Sequence, residues 1–202
     1  MLIKSFKYII FFFFLTSCGL FNTRNPEEPD MGKSTYYPPT VPDTVVSNFK
    51  NAIAEKNITN FIKCFWDTSN SSNEFYEFLP SPDAISLYQT IFNNWNVNSE
   101  KITFQNIIYK MPANDYPQLI FTNNGYPDKQ SESWTFITDY ILNIKFHIQN
   151  EDSIYSYAGT MQLIIKYKKD LSGWYIKSWI DSNPSNDSIK STWSILKAQF
   201  VK

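Results

Sequence analysis

Histidine occurs once in this 202-residue chain and cysteine twice. His147, Cys18 and Cys64 are too few to build a Cys/His metal centre, and no carboxylate run has the spacing of a cation-binding loop. No metal and no cofactor are therefore expected. An excess of charge is missing as well: 18 Lys and Arg stand against 19 Asp and Glu, a formal net charge of −1. With no basic patch, nucleic acid has no electrostatic foothold and is not an expected partner. There is no internal repeat and no sign of a second globular domain. No apolar run reaches the ~20 residues of a membrane-spanning helix. The rest is ordinary globular composition, 43% hydrophobic and 18% charged, enriched in aromatics with 17 Phe and 13 Tyr. Asn, Ile and Lys are used so freely that a single Asn or Lys is no signal.

The first residues read as a targeting segment. Lys4 and Lys7 make a positive start, and Tyr8 to Leu15 an apolar stretch of secretory length. Leu15-Thr16-Ser17-Cys18 follows, and it resembles the lipobox of bacterial lipoproteins: an aliphatic residue, two small residues, then Cys. The resemblance implies cleavage before Cys18 and lipidation of Cys18, with palmitate or a similar acyl chain. One chain anchors poorly, at ~0.8 kcal/mol per buried CH₂, so a stable tether needs several. Loss of Lys4 and Lys7 makes the mature chain two charges more negative. Gly19 stands where Asp would retain a lipoprotein in the inner membrane. The expected address is therefore the cell envelope, at the outer membrane if the host is Gram-negative. Residues 1–17 are read as signal peptide, 18–42 as lipidated Cys and Pro-rich tether, and 43–202 as one folded domain. Pro26, Pro29, Pro38, Pro39 and Pro42 favour extended chain in the tether.

In the domain, Asp43 to about Lys56 has a helical stripe of Val45, Phe49, Ala52 and Ile53, with Asp43 as cap. Asn57 caps a short second helix with Ile58, Phe61, Ile62 and Phe65 on one face. Its Cys64 reads as a small buried hydrophobe, because nothing nearby would activate a thiol. Glu74 to Leu79 reads as a short strand. Ser81-Pro82 opens a helix whose apolar face is Ile85, Tyr88, Ile91, Phe92 and Trp95. Glu100 to Lys110 reads as a strand, with Ile102, Phe104 and Ile108 to one side. A short strand is expected at Gln118 to Thr122. Ser182 to Ser191 reads as a polar loop, and Ser194 to Val201 as a terminal turn or final strand.

The organising stretch is Trp134 to Asp181, three antiparallel strands. In the first, Trp134, Phe136, Tyr140, Leu142, Ile144, Phe146 and Ile148 share one parity, and Asp139, Asn143, Lys145, His147 and Gln149 the other. The second runs from about Ile154 to Lys168 and the third from about Trp174 to Asp181. Trp174 and Ile176 are placed inward, against the helix carrying Tyr88, Ile91 and Trp95. Strict alternation then puts Tyr175, Lys177 and Trp179 outward, beside Thr160, Gln162, Ile164 and Lys166.

Helices followed by a meander ending in Gly173-Trp174-Tyr175-Ile176 resemble the nuclear transport factor two-like cone, an α+β fold with N-terminal helices on the concave face of a curved, mostly antiparallel sheet. Asn51 to Asn57, Trp174 to Asp181 and Trp193 to Ala198 resemble uncharacterised bacterial lipoproteins with this domain. That resemblance implies a fold and an address but no activity. Enzymes of the superfamily, isomerases and dehydratases, use Asp, His and Tyr on the inward side. Here His147 and Asp139 have the outward parity, and Asp181 reads as a solvated strand-end carboxylate. No catalytic residue is assigned. Thr138, Tyr140 and Tyr157 are the candidate lining of a small-molecule pocket. Ile164, Tyr175 and Trp179 are the candidate interface for a homodimer or an envelope partner. The expected function is a lipid-anchored, non-catalytic binding or interaction scaffold; the alternative is a pocket protein or an isomerase- or dehydratase-type enzyme.

Overall fold

The computed structural model describes residues 35–66, 74–148, 151–184 and 191–201. The signal segment, Cys18, most of the expected tether, the loop from Asp67 to Asn73 and most of the loop from Ser182 to Ser191 lie outside them.

Helix α1, Pro42–Ala54, starts on a proline that has no N–H to leave unpaired. Asp43 is in its first turn, and instead of capping the helix it accepts a 2.6 Å hydrogen bond from the Tyr126 hydroxyl. Val45, Phe49, Ala52 and Ile53 are buried, as the periodicity predicts. Lys56, with φ 53°, turns the chain. Asn57 then caps α2, Ile58–Lys63, by accepting from the Asn60 N–H at 3.0 Å. Strand β1 is Glu77–Leu79, and α3, Pro82–Leu87, is shorter than the expected helix. Ile85 is half exposed, and the aromatic pair Phe92 and Trp95 reaches Phe78 from irregular turns after the helix.

The expected strand at Glu100 to Lys110 is a helix, α4, Val97–Tyr109, opened by a capping box between Asn96 and Ser99. Its buried residues are Glu100, Thr103, Phe104 and Ile107, the spacing of one helical face. Two of the four are polar, so hydrophobicity alone hid the period. Four long strands follow: β2 Gln118–Lys129, β3 Ser133–Ile148, β4 Glu151–Lys168 and β5 Gly173–Ser182. The chain closes with α5, Trp193–Phe200, capped by Thr192; the C-terminal segment is thus neither a turn nor a strand. The sheet order is β1-β5-β4-β3-β2, antiparallel except for the β1–β5 pair.

Strand β3 alternates as expected from Phe136 to Phe146, with even-numbered residues buried. Strand β5 does not. Opposite it, Ile165 pairs with Ile176 but Ile164 pairs with Ser178, so Lys177 is an extra residue, a β-bulge. Before the bulge Trp174 and Ile176 face inward; after it Trp179 and Asp181 do. The outward placement of Trp179 is thereby corrected: its side chain is wholly buried, in edge contact with Phe49, Phe78 and Trp193. Trp174 packs against Trp134 and Tyr167, away from Trp95.

The free side of β5 is closed by three separate segments. Pro39 accepts from Trp174 N–H at 2.8 Å, Cys64 and Trp66 exchange backbone bonds with Ile176, and β1 pairs with Ser178 to Ile180. Covering a sheet edge in this way removes a template for unwanted pairing. Residues 35–41, read from sequence as tether, are therefore part of the compact unit that runs from Ser34 to Lys202.

Candidate functional site

The concave side of the sheet, where a cone of this shape would hold a ligand, contains a buried polar network. It has two carboxylates, Glu100 on α4 and Asp181 at the end of β5, and α5 connects them.

At Asp181, one oxygen accepts from the Tyr140 hydroxyl at 2.8 Å. The other accepts from Ser194 N–H at 2.7 Å and from the Ser194 hydroxyl at 2.5 Å. The Tyr140 oxygen in turn accepts from Trp193 N–H at 2.7 Å. The first turn of α5 thus turns its unpaired N–H groups onto Asp181 and Tyr140, a favourable place for negative charge. Ser81 extends the network: its N–H donates to Ser194 Oγ at 2.9 Å, and its hydroxyl lies 2.8 Å from that of Thr192. Room for Tyr140 depends on Gly159 opposite it. A Cβ there would sit 2.4 Å from the Ser182 carbonyl oxygen and 2.8 Å from the Tyr140 hydroxyl.

At Glu100, one oxygen accepts three bonds: Tyr76 hydroxyl at 2.7 Å, Trp95 Nε1 at 2.8 Å and Lys197 Nζ at 2.6 Å. Lys197 is 1% exposed. Its ammonium lies 3.4 Å from the ring centre of Trp179, 3.5 Å from that of Phe78 and 5.7 Å from that of Trp95, so it is caged by three aromatic rings and one carboxylate.

Burial sets the proton affinities. It pulls the Lys197 ammonium down to about 8, against the opposing pull of Glu100. It raises the Asp181 carboxyl, although the bonds from Ser194 and Tyr140 work the other way. Tyr76 and Tyr140 are pushed well above their ordinary value, first by burial and then by the neighbouring carboxylates. The sequence reading of Asp181 as a solvated strand-end residue is therefore corrected. Glu100, Lys197, Ser194 and Tyr76 were missed. The available signal was a helical period in α4 that had to count Glu100 and Thr103 as inward.

The expected pocket residues are all in packed core. Thr138 is fully buried and donates to Thr122 and Asp139 carbonyls, at 3.0 and 2.9 Å. Tyr140 belongs to the network. Tyr157 is buried, which raises its phenol to about 12. None of the three lines the surface depression of about 300 Å³ bordered by Asp83, Ser86, Leu87, Ser191 and Ile195. Of the interface residues, Ile164 and Tyr175 are half-buried on the outer face and Trp179 is core. His147 is exposed and pairs with Asp152 at 2.7 Å; Asp139 accepts from Thr160 at 2.7 Å on the outer side. Cys64 is buried, its thiol donating to the Asn60 carbonyl at 3.3 Å and its ionisation suppressed by burial. Cys18 lies outside the described residues. Among the described residues no His, Cys, Asp or Glu cluster could hold a metal, and no helix is long and apolar enough to cross a membrane.

No family model matches the chain, and no curated protein does. Solved structures do. A protein of Streptomyces avermitilis, named a candidate dehydratase of the NTF2-like family, superposes with a TM-score of 0.51 at 10% identity, over 72% of this chain and 100% of its own. An NTF2-like superfamily protein of Salmonella enterica gives 0.52 at 10% identity, over 72% and 89%. A candidate scytalone dehydratase of Novosphingobium aromaticivorans gives 0.52 at 9% identity, over 74% and 89%. The chain has the NTF2-like fold. Identities this low carry the architecture and nothing about chemistry.

Proposed function

We propose that the protein is a lipid-anchored envelope protein whose NTF2-like domain is a non-catalytic binding or interaction module. One observation carries the second half of that reading: the concave side is occupied by the protein's own side chains. Tyr140, Met161, Leu163, Trp179, Leu196 and Lys197 are each at most 1% exposed. The two carboxylates there are engaged by internal donors, three at Glu100 and three at Asp181. A general base has to reach a substrate proton, and these are turned onto the fold itself.

Binding then falls to the outer face of the sheet. With Trp179 in the core, that face is mixed, polar at Asp139, Thr160 and Lys166, with aliphatic groups between: Ile120 opposite Ile141, Ile137 and Ile180 flanking Gln162, and Ile164 beside Ser178, with Tyr175 at the margin. Apolar groups on an open sheet face suit a protein contact, here a homodimer or an envelope partner.

The anchor is tested by acyl labelling. Cys18→Ala should abolish palmitate incorporation and release the protein from the membrane fraction; unchanged labelling would remove the lipoprotein reading. The contact is tested by sedimentation of the chain from Cys18 onward, without its acyl chains. A dimer that Ile141→Lys dissociates, with its circular dichroism intact, supports a homodimeric face. A monomer at high micromolar concentration excludes one.

A second reading has one observation in its favour. Asp181 and Tyr140 form a buried carboxyl–phenol pair, and the ketosteroid isomerase site also sets a Tyr and an Asp together in an apolar pocket. Two of the fold neighbours are named candidate dehydratases. An enzyme of that type would require α5 to leave the concave side, which a melting-point rise with cyclic ketones, lost in Asp181→Asn, would reveal.

A further inference from the structure

Five exposed large apolar side chains meet at one end of the domain; others, such as Phe75, Ile85 and Leu87, stand elsewhere on it. Tyr109, 82% exposed, closes α4, and Tyr116 lies in the loop after it. Ile148 and Ile154, the latter 72% exposed, flank the β3–β4 turn, with Tyr155 next to them. These segments are held together: Lys110 accepts from His147 N–H at 3.0 Å, and Lys145 bonds Asp115 and Asp152 at 3.0 and 3.1 Å. Lys56 and Lys110 stand over the rings of Tyr116 and Tyr109. Asp115 and Asp152 are already engaged by Lys145 and His147.

The described chain begins beside the C-terminus of α1, which touches the loop of this rim. Thr35 donates to Glu55 from both its N–H and its hydroxyl, and Asn51 donates to the Thr35 carbonyl. The next residue, Lys56, donates to the Pro112 and Ala113 carbonyls in the loop that carries Tyr116. From Cys18 to Thr35 the chain spans at most about 60 Å even when fully extended. A lipid on Cys18 therefore keeps this end within reach of the bilayer at high effective concentration. Exposed tyrosine and isoleucine with lysine beside them match the chemistry of a membrane–water interface.

We propose that this rim, Tyr109, Tyr116, Ile148, Ile154 and Tyr155, docks on the lipid surface to which the chain is tethered. The domain then stands on the membrane with the β4–β5 turn outermost. The inference rests on the lipid-anchor reading, and the experiment separates the two.

Hydrogen exchange is measured on the acylated chain, free in detergent and bound to vesicles of phosphatidylethanolamine and phosphatidylglycerol. Exchange across Tyr109–Tyr116 and Ile148–Tyr155 should slow severalfold on vesicles, with Lys169–Ser172 unchanged. The double variant Tyr109→Ser, Ile154→Ser, altered only at exposed positions, should lose that slowing. A chain that floats with the vesicles but shows no slowing at the rim overturns the docking and leaves the anchor standing. If the chain does not float, the anchor reading fails. The chain from Cys18 onward is then coupled through the Cys18 thiol to a maleimide lipid, Cys64 being buried, and exchange is measured again. Slowing at the rim then supports the surface without the native lipid; none overturns it.

Discussion

Lys197 is a buried cation in the interior, 1% exposed. A buried cation is tolerated only when it is paired, and its partners are one carboxylate and three aromatic rings. Removing one charge leaves the other buried and uncompensated, at a cost of ~3–5 kcal/mol, whereas removing both is far milder. Lys197→Met should lower stability to denaturant by about that much, and Lys197→Met with Glu100→Gln should recover part of the loss. The ammonium also sets a pH signature. Its folded-state pKa of about 8 lies below the ordinary 10.5, so between those values this lysine binds more protons in the unfolded chain. Stability should therefore rise with pH from about 8 to about 9, by about 1 kcal/mol, and then level off, because the buried Cys64 thiol keeps its proton in the folded chain while the unfolded one begins to ionise. Above about pH 10 the trend reverses, because Tyr76 and Tyr140 hold their protons when folded and lose them when unfolded. A melting point that does not climb from pH 7.5 to 9.5 in the parent, or climbs equally in Lys197→Met, contradicts this assignment.

Among the elements, what the sequence made legible followed the two simple periods. The α1 stripe, the Asn57 cap and the alternation of β3 were all readable, because apolar residues alone mark their buried sides. Three features hid where that rule fails. Helix α4 buries Glu100 and Thr103, so its face looks half polar. Helix α5 buries Ser194 and Lys197 together with Trp193 and Leu196, so it shows no stripe at all. In β5 a single extra residue, Lys177, changes which side every later residue faces, and no local pattern announces it. Both carboxylates of the candidate site and the helix that joins them come from these three elements, which is why so little of it could be read in advance. The bulge makes a direct prediction. Trp179→Ala should cost ~3–5 kcal/mol, as for a large aromatic lost from a packed core. Tyr175→Ala, on the half-exposed outer side, should cost clearly less. Denaturant midpoints that rank these two variants in the opposite order would restore unbroken alternation along β5.

At the scale of the whole molecule, the fold is closed by segments distant in sequence, and the arm before α1 is one of them. Composition assigned residues 18–42 to a tether because Pro38, Pro39 and Pro42 favour extended chain, and the arm is extended. It is nevertheless packed. Asn48, 1% exposed, donates to the Tyr37 carbonyl at 2.7 Å and accepts from the Tyr37 N–H at 2.9 Å. Pro39 takes the Trp174 N–H, and Tyr36 packs against the core with Lys63 over its ring. A chain begun at Asp43 would strip the Asn48 amide of both partners and leave the Trp174 N–H without its acceptor. A buried polar group without a partner costs ~1–3 kcal/mol, unless water can enter. Two such sites, with the lost contact of Tyr36, amount to a large part of the ~5–15 kcal/mol that holds a domain of this size together. The chain begun at Thr35 should therefore unfold in one cooperative transition, and the chain begun at Asp43 should melt many degrees lower or fail to fold. Asn48→Ala in the longer chain should reproduce part of that loss, since it leaves the Tyr37 groups unpaired at the same point. Equal melting points for the two chains would show that the arm is only laid on the surface and that the domain begins at α1.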